Sequence, residues 1–165
     1  MASRKGIGIT ISLLVGVVAA SFLVYLIPED TTMKITVSDF EEHLDITKER
    51  ASMEVTSIDE SFKKLMNNSM NPNEYISTAE VSSSQLNSLI IELTNSGAKQ
   101  EWTESYVNYI GALKKLNGKI TETIVIATLI NSDNNSNSIN VILAKIYQLE
   151  IESQELIKKS DNMRP

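Results

Sequence analysis

Hydrophobic and polar positions alternate along the chain in two quite different ways. Residues 6–27, GIGITISLLVGVVAASFLVYLI, carry no charge at all. At a rise of about 1.5 Å per residue a helix of this length covers roughly 33 Å, enough to cross a hydrocarbon core of about 30 Å. Beyond it the apolar residues return at steps of three and four, which gathers them on one stripe of a helix. The first such pattern predicts a helix over 38–66, opened by a capping box of Ser38 with Glu41. Its seam, of coiled-coil type, runs through Val37, Phe40, Leu44, Ala51, Val55, Ile58, Phe62 and Leu65, with Lys48 as an interruption.

Three more helices follow. After the polar turn 67–71, Asn71-Pro72-Asn73-Glu74 has the order of an N-cap, a proline at the first helical position and an acid in the first turn. Ile76, Ala79, Ser83, Leu86, Ile90 and Leu93 form the stripe of this second helix, which stops at Gly97, a C′ glycine. The third is expected over 98–131, with Trp102, Tyr106, Tyr109, Leu113, Leu116, Ile120, Ala127 and Ile130 on one side and a candidate kink at Gly111 or Gly118. The stretch 131–137 is a loop by composition, and Ser136 or Asn137 caps a fourth helix reaching about residue 160. Its seam is Ile139, Ile142, Ile146, Leu149, Ser153 and Leu156.

These patterns predict an all-α protein: an N-terminal single transmembrane helix followed by an antiparallel up-down four-helix bundle. The expected divisions are 1–28 for the cytoplasmic N-terminus and anchor, 29–37 for a linker, 38–162 for an extracytoplasmic bundle and 163–165 for a tail. Arg4 and Lys5 precede the span while Glu29 and Asp30 follow it, so a signal-anchor with its N-terminus in the cytoplasm is expected. The loops near 67 and 134 then lie far from the membrane, and the Gly97 turn and C-terminus lie near it. In element order this resembles the periplasmic four-helix sensor domains of chemoreceptors and membrane-tethered helical lipoproteins. No motif carries that resemblance, and the sequence has neither the second span nor the signalling region of a receptor.

Two alternatives apply to the apolar stretch. Val18-Ala19-Ala20 fits a signal-peptidase site, and Arg4-Lys5-Gly6 resembles the class III signals of prepilins, with Ile11 standing where mature pilins carry an acid. The longer run through Ile27 favours a retained anchor. Within it Gly8, Ser12, Gly16 and Ala20 recur every four residues, a small-residue ridge that suits close packing with a partner helix or self-association in the membrane.

Composition narrows the chemistry. The chain has no cysteine, which excludes disulfides and thiolate sites. Outside the anchor, 13 basic residues face 21 acidic ones, a net charge of −8 that repels nucleic acid. His43 is the lone histidine and follows Glu41 and Glu42 too closely for the Glu-x-x-His pairs of a di-iron bundle; it reads as part of a solvated helix face. No catalytic triad, metal site, phosphate loop or cofactor is indicated. Ser83 and Ser153 read as small hydroxyls in the core or beside a small cavity. Asn67 and Asn134 begin Asn-x-Ser sequons in the two distal loops and are candidate glycosylation sites.

Residues 124–130 are apolar nearly all round, more than one helix of a bundle can hide, so Val125, Ile126 and Leu129 are candidate partner contacts. The expected function is a non-catalytic, membrane-anchored interaction or accessory protein, with a subunit of a membrane complex as one form. The alternative is an extracytoplasmic sensory or ligand-binding bundle, which requires a cavity between helices.

Overall fold

The caps written into the sequence decide where the helices begin. The computed structural model describes residues 37–132 and 136–165, which form α1 (Phe40–Met66), α2 (Pro72–Asn95), α3 (Gln100–Asn131) and α4 (Ser136–Asn162), with no strand among them. The anchor 6–27 with Gly8, Ser12, Gly16 and Ala20, both of its cleavage alternatives, most of the linker, and Asn134 lie outside the described residues. Asp39, rather than Ser38, caps α1: its carboxylate accepts from the amides of Glu41 and Glu42 at 2.9 and 3.0 Å. A charged acceptor at the positive end of the helix outweighs the capping box one residue earlier. Asn71 caps α2 through the amide of Asn73 at 2.8 Å, with Pro72 following, and Gly97 closes the helix at φ +63°.

Helix α3 is continuous through both of its glycines, so neither breaks it. A Cβ on Gly111 would lie 3.3 Å from Leu156 Cδ1, and one on Gly118 would lie 3.8 Å from both Leu149 methyls. The glycines recur at the same seven-residue interval as the leucines, so each is a hole that lets α4 approach α3. On α2 the buried face is rotated by one residue from the expected stripe. Tyr75, Ser82 and Leu89 are buried beside Ala79, Leu86 and Leu93, while Ile76, Ser83 and Ile90 are only half-buried. Tyr75 wins the interior place because its hydroxyl finds a partner there, donating to Thr123 Oγ1 at 2.6 Å.

The helices run up and down as expected. Arg164 pairs with Asp45 where α1 begins and α4 ends, and Asn131 reaches Asn73 at 3.1 Å at the opposite end. The four do not close evenly, however. Helix α3 packs against α1, α2 and α4, whereas no Cα of α1 comes within 8 Å of one of α4. Helices in direct contact sit about 8–10 Å apart axis to axis, so this seam stands open. Accordingly, among the apolar seam residues expected on α4, Ile139, Ile142, Ile146, Leu149 and Leu156 are all half-buried.

Because Gly118 has ordinary contact room for a methyl group and Gly111 has little, alanine should act differently at the two. Gly118→Ala is expected to stabilise the bundle by about 0.5–1 kcal/mol through helix propensity. Gly111→Ala should yield less or reverse in sign, since Leu156 must shift. Thermal unfolding followed by circular dichroism checks the difference.

Candidate functional site

The open seam between α1 and α4 forms a groove of about 340 Å³. Its walls are Lys48, Ala51, Ser52, Val55 and Thr56 from α1 and Glu150, Ser153, Gln154 and Ile157 from α4, and Tyr109 and Leu116 of α3 line it as well. The cause lies in side-chain size. Ala51 and Ser153, both fully buried, stand where longer apolar residues would bridge the helices, and Ser153 instead turns its hydroxyl to its own helix, donating to the Glu150 carbonyl at 2.7 Å. Lys48 and Ser153 are the two residues that break the apolar seams of α1 and α4.

Charged links cross the seam at both ends of the groove. At one, Lys48 pairs with Asp161. At the other, Lys119 rises from α3 and donates to Asp59 of α1 at 2.8 Å and to Glu150 of α4 at 2.6 Å. Lys48 and Asp59 are eleven positions apart, as are Glu150 and Asp161. Eleven residues make about three helical turns, so each pair shares one helix face. Burial alone would lower the pKa of Lys119, but its bonds to Asp59 and Glu150 outweigh this and hold it above the usual lysine value. Burial likewise works to raise Glu150, and the Lys119 ammonium overcomes it and holds the carboxyl below its ordinary value. The two shifts agree on an ionised pair.

Tyr109 lines this groove and is 2% exposed. Lys48 Nζ lies 5.3 Å from its ring centre, and its hydroxyl makes no hydrogen bond to any described residue but is not cut off from solvent. Burial pushes this phenol well above the ordinary tyrosine value, with Asp161 adding to the effect, so the group stays a neutral donor. The buried phenols of Tyr75 and Tyr106 behave otherwise. Each is pushed up to about 12 mainly by burial, but each donates within the protein, Tyr106 to the Phe40 carbonyl at 2.9 Å.

The residues singled out by sequence fall elsewhere. His43 is not on a solvated face: Nδ1 lies 3.0 Å from the Tyr106 hydroxyl and Nε2 lies 3.1 Å from Glu92 Oε1, tying α1 to α3 and α2. Glu92 also holds Arg50 at 2.9 Å. This lone histidine is a structural clasp, and no group of acidic and histidine side chains suited to a metal ion occurs among the described residues. Ile126 is fully buried, Leu129 is half-buried and Val125 is 40% exposed, so Val125 is the most open of the three. Asn67 is exposed in the turn after α1. Sequence reasoning missed Lys119, whose signal was a charge between Leu116 and Ile120 on the inner face of α3.

Replacing Lys119 by methionine leaves two half-exposed carboxylates facing each other without their cation. A loss of about 1–3 kcal/mol is expected at neutral pH. Glu150 has its pKa lowered in the folded state, so its contribution is present above 4.5, the ordinary glutamate value, and is lost as pH falls through the folded value. Lys119 is raised, so its contribution holds below 10.5 and fades as pH rises further. The stability gap between wild type and Lys119→Met should therefore narrow at both extremes, as read by urea unfolding across pH.

No protein-family model, curated protein or solved structure matches the chain.

Proposed function

We propose that the protein is a non-catalytic, membrane-tethered module whose four-helix bundle stands outside the cytoplasm and binds another molecule in the open seam between α1 and α4. The observation that carries this reading is the groove: two helix walls held apart, framed by internally paired charges and lined by Tyr109, whose hydroxyl has no hydrogen-bond partner among the described residues. A void between helices forfeits contacts on both sides and is retained at a cost in stability. Of the two functions expected from sequence, the groove supports the ligand-binding bundle. The lone histidine is committed to Tyr106 and Glu92, which supports a non-catalytic role.

The tether rests on residues 6–27 and the basic flank before them. On this reading the protein stays with membranes through a carbonate wash, and the Gly8, Ser12, Gly16 and Ala20 ridge mediates self-association or pairing with another span. Release of a soluble form beginning near Ser21 would refute the retained anchor. A second reading, a protein contact at the membrane-distal end, is favoured by the exposure of Val125, Val141 and Tyr147, the last two at 72% and 68%.

The absence of cysteine allows clean single-cysteine footprinting. Ser52→Cys and Thr56→Cys in native membranes should react with a maleimide at least several-fold more slowly than in the purified protein. Glu80→Cys, on the exposed face of α2, should react equally in both. Equal rates at all three positions would remove the binding reading.

A further inference from the structure

Resting on that reading, we infer that the groove takes a small uncharged molecule with an apolar body of about two rings and one hydrogen-bond acceptor, which Tyr109 recognises. Three observations define this ligand.

The first is charge. Every ionised side chain at the groove already has a partner inside the protein: Lys48 with Asp161, and Glu150 with Lys119. An ionic ligand would have to break one of these pairs or enter without a counter-ion, and an unpaired charge in a largely apolar setting is costly. Neutrality in the groove thus selects neutrality in the ligand.

The second is a free donor. The Tyr109 hydroxyl is committed to no described residue, whereas Tyr75 and Tyr106 both spend theirs on acceptors within the bundle. An acceptor on a bound molecule can therefore take it up without breaking a bond inside the protein. The neutral Tyr109 phenol, standing beside Ala51, Val55, Leu116 and Ile157, suits a ketone, ester or ether oxygen on an otherwise apolar molecule.

The third is size and shape. The volume of about 340 Å³ is at the small end of ligand pockets. An engineered apolar cavity of roughly 150 Å³ accepts benzene, so this groove suits about two rings. Along α1 the window from Lys48 to Asp59 is about 16 Å at the helical rise. The charged links crossing the seam at both ends obstruct a partner helix laid lengthwise in it, whereas a compact molecule fits between them.

Benzophenone matches this description, being neutral, two-ringed and a ketone, and on illumination it inserts into nearby C–H bonds. The full-length protein, in the same detergent throughout, is illuminated with increasing benzophenone and the attachment sites are mapped by mass spectrometry. Saturable labelling is expected in the segments holding Val55, Leu116 and Ile157. Thr56→Trp, which fills the groove from an exposed rim position, should reduce that labelling at least tenfold while the helical circular-dichroism spectrum stays unchanged. Tyr109→Phe should raise the half-saturating concentration by roughly three- to tenfold, the worth of one hydrogen bond. The carboxylate analogue 4-benzoylbenzoate should label at least tenfold more weakly. Labelling spread over the whole bundle, labelling indifferent to Thr56→Trp, or equal labelling by the carboxylate would overturn the inference. If Ser52→Cys and Thr56→Cys are protected in native membranes and yet benzophenone does not label the groove, binding in the seam stands and the small-molecule ligand is replaced by a protein one. If neither protection nor labelling is found, both readings fall together.

Discussion

Helix α3 is the one element that touches the three others, and the rest of the bundle is arranged by that constraint. Its Gly111 and Gly118 admit Leu156 and Leu149, drawing α4 close on one side, while Tyr106 and Tyr109 fill the space toward α1 and Thr123 receives Tyr75 from α2. Since α1 and α4 are both fastened to α3, they need not touch each other. The bundle tolerates an open seam because its cohesion runs through a hub instead of around a ring.

Lys119 sets how that seam is held. Its ammonium comes from the same hub and grips one carboxylate on each wall, so it acts as a spacer as much as a bond. A buried ion pair of this kind is not strong evidence for net stability, because desolvating the charges offsets much of their attraction. What it does is bind each wall to a point on α3 rather than to the opposite wall.

The helix boundaries and topology were legible in the chain because they depend on local chemistry. Asn71 with Pro72, and Gly97, act within a few residues of themselves, and the seven-residue multiples that separate Leu44, Ile58 and Leu65 or Tyr106, Leu113 and Ile120 follow from the period of one helix. Rotation about the helix axis was less legible. On α2 the choice between Tyr75 and Ile76 turned on an acceptor on another helix, Thr123, which no local pattern contains. His43 was misjudged for the same reason: its partners Tyr106 and Glu92 are 63 and 49 residues away.

The groove shows the same division. By itself the sequence determined its ingredients: charges eleven residues apart on α1 and again on α4, small residues between them, and Lys119 on the inner stripe of α3. Those spacings follow from the period of a single helix. Only the tertiary structure decided that the two charged stripes face each other, that Ala51 and Ser153 leave a gap instead of meeting, and that Tyr109 lines that gap with its hydroxyl committed to no described residue. Which helix faces which depends on the packing of α3 against all its neighbours at once, a sum of contacts distant in sequence that periodicity cannot report.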